Sequence, residues 1–99
     1  MNIKIPNKTK VVVIGGGVIG CSVAYHLAKF GWKDTIVLER DQLTSGTTWH
    51  AAGLVSRLGP SAAVTKIRKY SLDLYKELEK KVDHSAGLRL NGALSIAQN

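Results

Sequence analysis

This 99-residue sequence has few cysteines, prolines and aromatic residues, and it has no long uninterrupted apolar run. Its one cysteine, Cys21, cannot form a disulfide within the chain, and no cysteine and histidine cluster has the spacing of zinc ligands. The longest apolar stretch begins at Val11 and is interrupted by glycines long before it could span a bilayer. From these absences we expect no disulfide-stapled domain, no zinc module and no membrane span within these 99 residues.

We expect no targeting segment in the first residues of this sequence. Met1 is followed by a short polar and basic lead, which resembles neither a signal peptide nor an arginine-rich transit segment. The single cysteine fits a reducing compartment. We therefore expect a cytoplasmic protein if Met1 is the true start, and a protein of the mitochondrial matrix if it is not.

The charge is unbalanced, with 14 basic residues against 7 acidic ones and a formal net charge of +7. The basic residues are scattered, and aromatic residues do not alternate with them in the manner of single-strand nucleic-acid binders. We therefore expect no nucleic-acid partner. Hydrophobic residues make up 44% of the chain and charged residues 21%, which is typical of a globular domain with one core.

The first forty residues have the pattern of a β-α-β unit. A continuous apolar run over Lys10 to Ile14 predicts a strand buried on both faces of a parallel sheet. Apolar residues at helical spacing predict a helix from Val18 to Phe30, with Gly31 as its C-terminal cap. A second strand is predicted from Thr35 to Leu38, joined to the first by a right-handed crossover. The fold class is therefore α/β, with a Rossmann-type βαβ unit and a parallel sheet.

The rest of the chain predicts less regular structure. Residues 41–59 are rich in glycine, serine and threonine and read as a long loop with at most a short helix near Trp49 to Leu54. An amphipathic helix is predicted to begin near Ser61 or Ala62. A last strand, from Ala93 to Ala97, is predicted to follow a tight turn at Asn91-Gly92.

A G-x-G-x-x-G motif lies between the first predicted strand and helix. Gly15 allows a sharp turn, Gly17 keeps side chains away from a pyrophosphate, and Gly20 allows close contact between helix and strand. Glu39 follows Gly20 by 19 residues, at the end of the next strand, where a carboxylate can accept both ribose hydroxyls of an adenosine. The motif predicts FAD or NAD binding and disfavours NADP; the alternative is a glycine-rich turn in an ordinary α/β domain.

The loop that follows favours FAD, because its small and hydroxyl residues allow the backbone to approach a flat ring and a diphosphate. Its segment Ser45-Gly46-Thr47-Thr48-Trp49-His50-Ala51-Ala52-Gly53 resembles the dimethylglycine and sarcosine dehydrogenases, within the D-amino-acid-oxidase-like FAD enzymes. The resemblance runs from about Lys10 to the C-terminus. It implies a covalent bond between His50 and the flavin, whereas the residues alone favour a hydrogen-bonded loop histidine. The FAD contacts that it implies are Val18, Ile19, Glu39, Arg40, Gly46, Thr47, Thr48, Trp49, His50, Ala51, Ala52, Gly53 and Leu54.

The resemblance also implies an activity, the oxidative N-demethylation of a small methylated amine such as dimethylglycine or sarcosine. Tetrahydrofolate is a further cofactor in many members of the family, and the electron acceptor is left open. Two alternatives are a non-catalytic subunit similar to the pyruvate dehydrogenase phosphatase regulatory protein and an FAD amine oxidase that uses oxygen. The regulatory protein departs from the Trp-His-Ala-Ala-Gly sequence that this chain retains.

The three predicted strands leave exposed edges and too little cover for so apolar a first strand. We therefore expect residues 1–99 to be the N-terminal part of a larger FAD-binding domain, an incomplete fragment. The catalytic residues that hold the substrate are then expected outside this sequence.

Overall fold

The computed structural model describes residues 4–97, in which two strands and two helices form. In chain order these are β1 (Val11–Ile14), α1 (Val18–Lys29), β2 (Thr35–Leu38) and α2 (Ala62–Lys81). The chain divides into two compact units, which meet in sequence between Ala52 and Gly53. The first unit contains β1, α1 and β2, and the second contains α2. Neither helix of the described range has the length and hydrophobicity of a membrane span.

The two strands of the first unit pair in parallel, in a register that sets Val11 opposite Thr35 and Ile14 opposite Leu38. Both strands are short runs of β-branched and leucine residues, which favour extended backbone. Parallel strands need a crossover connection, and α1 supplies it. The predicted parallel βαβ unit is therefore confirmed, with the second strand at its predicted bounds.

Helix α1 ends at Lys29, one residue before the predicted end. The Gly31 amide donates to the Ala28 carbonyl at 3.0 Å, and the Trp32 amide donates to the Leu27 carbonyl at 2.8 Å. This pair of bonds is the Schellman arrangement, which requires a left-handed residue just beyond the helix. Gly31 has φ of 87°, which confirms it as the C-terminal cap.

The sheet is covered on one face only. Helix α1 contacts both strands, whereas Val12 is 49% exposed and Ile14 is 86% exposed. The prediction that the first strand is buried on both faces is therefore wrong for this chain, because a two-stranded sheet with one helix has nothing to cover its second face. On that open face Val12, Ile36 and Leu38 line a cavity of about 480 Å³ together with Ile5 to Thr9.

The second unit is built on α2, which begins at the predicted position. Ser61 has extended backbone at the N-cap, and its hydroxyl accepts a hydrogen bond from the Val64 amide at 3.3 Å. Beyond the helix, the Glu79 carboxylate accepts hydrogen bonds from the Ser85 hydroxyl at 3.0 Å and from the Leu88 amide at 3.4 Å. These contacts fold the chain after α2 back on the last turns of the helix.

One predicted strand does not form, and residues 41–59 contain no helix, which agrees with the prediction of a long loop with at most a short helix. Residues 93–97 are irregular rather than a strand, because a strand needs a hydrogen-bonded neighbour and the sheet in the described residues contains only β1 and β2. Near Trp49 the backbone makes successive turns instead of a short helix. The amides of Trp49, His50 and Ala51 each donate to the carbonyl three residues earlier, at 3.1 to 3.3 Å, and residues 52–56 are irregular.

Close contact between α1 and the end of β1 depends on Gly20. A Cβ atom at this position would lie 1.8 Å from the Gly15 carbonyl oxygen, which is backbone and cannot rotate away. We predict that Gly20→Ala lowers the free energy of unfolding by about 3 kcal/mol, because the helix must move off the strand. Urea denaturation followed by circular dichroism measures this change.

Gly46→Ala is the matched control for that substitution. No atom lies within 4 Å of the position that a Gly46 Cβ would take, and this glycine is not in the left-handed region. Its substitution is expected to change the free energy of unfolding by less than about 1 kcal/mol. Equal effects of the two substitutions would show that α1 does not depend on this close approach.

Candidate functional site

The turn between β1 and α1 follows the backbone path that the glycine motif predicts. Gly15 has φ of 102°, in the region that favours glycine, and its amide donates to the Leu38 carbonyl at 2.8 Å. The turn is thereby tied to the C-terminal end of β2. The carboxyl ends of parallel strands, where ligands bind in open α/β sheets, therefore meet at this turn.

Glu39, directly after β2, lies against the glycine turn. Its Oε2 atom accepts a hydrogen bond from the Gly16 amide at 2.6 Å, and its Oε1 atom accepts one from the Asp41 amide at 3.0 Å. The bond from Gly16, followed by that from Asp41, holds the pKa of the Glu39 carboxyl below its ordinary value of 4.5. The positive charge of Arg40 acts in the same direction. The carboxylate is therefore held ionised beside the loop.

The N-terminus of α1 is capped from a distant part of the chain. Its N-cap residue, Gly17, has no side chain to cap the helix, and the Thr48 hydroxyl accepts the Val18 amide hydrogen at 2.9 Å. A Cβ on Gly17 would lie 2.9 Å from that same hydroxyl oxygen, closer than real contacts allow. Gly17 therefore keeps the helix N-terminus open to polar groups, as the motif predicts, and in this structure one such group belongs to Thr48.

His50 lies in the turn that carries Thr48. Its Nδ1 atom lies 2.9 Å from the Gly46 carbonyl oxygen, and the ring is exposed. Since a carbonyl only accepts hydrogen bonds, Nδ1 carries the proton in this arrangement. The neutral ring then has its lone pair on Nε2, which is the atom available for bonding to another group. The neighbouring Trp49 side chain is 79% exposed.

The first unit thus brings together Gly15, Gly17, Gly20, Glu39 and Thr48 around one end of the sheet. Gly53, with φ of 72°, and Leu54, which is 89% exposed, belong to the second unit.

Two residues that contact the glycine turn, Thr44 and Leu43, could not be recognised from the sequence pattern. The Thr44 amide donates to the Gly16 carbonyl at 3.0 Å, and Thr44 has φ of 67°, which is uncommon outside glycine. A Cβ on Gly16 would lie 2.5 Å from the Leu43 Cδ2 atom. Both residues hold the long loop against the glycine turn, and nothing in their spacing distinguishes them from ordinary loop residues.

The fold and the glycine turn define a Rossmann-type βαβ unit, the unit that binds the adenosine diphosphate part of dinucleotides. A family model described as FAD dependent oxidoreductase matches residues 10–99. The match covers most of the chain, which therefore belongs to this family of FAD-dependent oxidoreductases.

Three relatives show what kinds of protein share this segment. The formaldehyde-forming 4-methylaminobutanoate oxidase of Paenarthrobacter nicotinovorans is 45% identical over 94 residues, which cover 95% of this chain and 11% of the relative. Human mitochondrial dimethylglycine dehydrogenase is 43% identical over 91 residues, 92% of this chain and 10% of the relative. Human mitochondrial sarcosine dehydrogenase is 45% identical over 96 residues, which cover 96% of this chain and 10% of the relative. The resemblance inferred from the loop sequence is confirmed.

A relative of a different kind is the mitochondrial pyruvate dehydrogenase phosphatase regulatory subunit of Mus musculus. It is 40% identical over 97 residues, which cover 98% of this chain and 11% of the relative. The chain therefore spans about a tenth of the length of each of these four relatives.

The bond between Gly16 and Glu39 predicts a pH dependence. Because the pKa of the folded Glu39 carboxyl is below its ordinary value of 4.5, its stabilising effect is fully present above that pH and is lost as the pH falls through the lowered pKa. We predict that the Gly16 amide resonance shifts over this acidic range in nuclear magnetic resonance spectra. Glu39→Gln should abolish that shift.

Glu79→Gln is the control, because the Ser85 hydroxyl, as the largest cause, lowers the pKa of the Glu79 carboxyl in the second unit. This variant should leave the titration of the Gly16 amide unchanged. A Gly16 resonance that still titrates in Glu39→Gln would mean that another group causes the shift.

Proposed function

We propose that this chain supplies the FAD-binding part of an enzyme that oxidatively removes an N-methyl group from a small methylated amino acid, such as dimethylglycine or sarcosine. The observation that carries the proposal is the 2.6 Å hydrogen bond between the Gly16 amide and the Glu39 carboxylate. It sets the group suited to a ribose beside the loop suited to a pyrophosphate. Three relatives are named for methylated amines, and these names supply the proposed substrate class.

In this proposal the first unit binds the adenosine diphosphate half of FAD. The amides at the N-terminus of α1 face the pyrophosphate, where the helix dipole favours negative charge. Gly15, Gly17 and Gly20 keep the path free of side chains, and Glu39 accepts the ribose hydroxyls. The remaining proposed contacts are Val18, Ile19, Arg40 and the segment from Gly46 to Leu54, which comprises Gly46, Thr47, Thr48, Trp49, His50, Ala51, Ala52, Gly53 and Leu54.

His50 is the proposed covalent tether. The hydrogen bond from Nδ1 to the Gly46 carbonyl orients the ring and leaves the Nε2 lone pair as the nucleophile. The new bond would join Nε2 to the 8α methyl carbon of the flavin and would replace one C–H bond of that methyl group. Overall the methyl group and the imidazole each lose one hydrogen, and dioxygen takes up both hydrogens with two electrons as hydrogen peroxide. The Gly46 carbonyl stabilises the positive charge that the ring acquires as the bond forms.

Bound FAD would accept a hydride equivalent from the N-methyl carbon of the substrate. The substrate imine that results adds water and releases formaldehyde, or passes its one-carbon unit to tetrahydrofolate where a folate-binding region is present. The groups that hold the amine are proposed to lie outside these 99 residues.

The tether can be tested on the full-length protein. We predict that wild-type protein precipitated with acid keeps its yellow colour, whereas His50→Ala releases all of its FAD into the supernatant. Absorbance of the pellet and supernatant measures the two fractions. His84→Ala is the matched control, since this histidine lies in the second unit and bonds only to the neighbouring Asp83 carbonyl in the described structure. A colourless wild-type pellet would rule out covalent attachment.

The substrate class is tested under anaerobic conditions. We predict that dimethylglycine or sarcosine bleaches the visible absorbance of the bound flavin in the full-length protein and releases one formaldehyde per flavin. Glycine, which has no N-methyl group, is the control and should do neither. Bleaching without formaldehyde would contradict N-demethylation. Rapid hydrogen peroxide formation after air is admitted would identify an oxygen-using oxidase, the kind of enzyme that the Paenarthrobacter relative's name describes.

A second candidate function is a non-catalytic regulatory subunit, which the 40% identity to the phosphatase regulatory subunit favours. This candidate predicts that no methylated amine bleaches the flavin. The retained Trp49-His50-Ala51-Ala52-Gly53 sequence favours the oxidoreductase over the regulator.

A further inference from the structure

Two hydrogen bonds hold the turn that carries His50 against the glycine turn. Just before this turn the Thr44 amide donates to the Gly16 carbonyl at 3.0 Å, and within the turn the Thr48 hydroxyl accepts the Val18 amide hydrogen at 2.9 Å. The first is a backbone bond that any residue can make. The second depends on a side-chain oxygen and so on the identity of residue 48.

Thr48 is close enough to His50 to control where its ring lies. Only Trp49 lies between them in the chain, so their Cα atoms are at most about 7 Å apart. Backbone hydrogen bonds close the turn around them: the Trp49 amide donates to the Gly46 carbonyl and the His50 amide donates to the Thr47 carbonyl, both at 3.1 Å. The His50 ring is bonded to the Gly46 carbonyl of the same turn. Moving Thr48 would therefore move the ring.

The hydrogen-bond partner of Thr48, the Val18 amide, is held in place by the fold of the first unit. The Val18 amide belongs to the first turn of α1, a helix that packs on β1 and β2, and Gly17 lacks the Cβ atom that would collide with the Thr48 oxygen. Helix α1 and the glycine turn are also the elements proposed to hold the pyrophosphate. The hydroxyl of Thr48 thus links the residue proposed as the tether to the elements proposed to position the cofactor.

We propose that Thr48 is a positioning residue for covalent flavin attachment. By capping α1, its hydroxyl holds the turn from Gly46 to Ala51 in the place from which the Nε2 atom of His50 reaches the 8α carbon. This inference rests on the proposed tether. It assigns Thr48 no contact with the reacting atoms.

The experiment follows attachment over time in the full-length protein. Protein prepared without flavin is mixed with excess FAD in air, and acid-precipitable flavin is measured at intervals, with total bound flavin measured before precipitation. We expect Thr48→Val, which keeps the branched shape but lacks the hydroxyl, to attach the FAD that it binds roughly tenfold more slowly than wild type, with the rate normalised to total bound flavin, as expected for a misplaced reacting group. Thr48→Ser, which keeps the hydroxyl, should attach it within about twofold of the wild-type rate.

Thr35→Val is the matched control, because it removes a threonine hydroxyl that bonds to the Trp32 carbonyl at 2.9 Å, at the opposite end of β2. It should attach flavin at the wild-type rate. Wild-type rates in Thr48→Val, or equal slowing in Thr48→Ser, would overturn the positioning role. Complete loss of FAD binding in Thr48→Val would also overturn it, because Thr48 would then act through FAD binding or folding as a whole and not through the placement of His50. Absence of attachment in wild type would reject the tether itself, a result distinct from these.

Discussion

The close approach of α1 to the end of β1 is the constraint on which the rest of the site depends. Only a residue without a Cβ atom fits at Gly20, and Gly15 must adopt a positive φ to turn the chain under the helix. With the helix in this place, its first amides lie beside the carboxyl ends of the two strands, where β2 also ends. Glu39 and Thr48 can then both reach the glycine turn by single hydrogen bonds.

Much of the first unit could be predicted from sequence, because its signals are local. The apolar run at Val11, the helical spacing from Val18 and the position of Gly31 each report a nearby backbone requirement. The second unit was harder. Its helix has a local signal in Ser61 and its amphipathic pattern, whereas the predicted strand at Ala93 to Ala97 needs a pairing partner, which no local pattern reports. Burial of the first strand was predicted wrongly for the same reason, since burial depends on what covers a face.

The candidate site also contains some residues with a local sequence signal and others whose role depends on distant parts of the chain. The glycines and Glu39 were predictable because their spacing reflects one continuous βαβ unit. The cap on α1 was not, because Thr48 lies 30 residues from Val18 and no periodicity joins them. Thr44 and Leu43 also act on the glycine turn from across a loop without regular structure. The loop sequence indicated that Thr48 matters, through family resemblance, but the helix contact required the structure.

The open face and edges of the sheet affect how this segment behaves in solution. With only two strands in the described residues, each strand leaves one edge unpaired, and Val12, Ile14 and Leu38 are exposed beside those edges. Such edges pair readily with strands of other copies. Studied by itself, the segment is therefore expected to self-associate as its concentration rises. An apparent affinity for FAD measured on it would vary with protein concentration, so a dilution series belongs with every such titration.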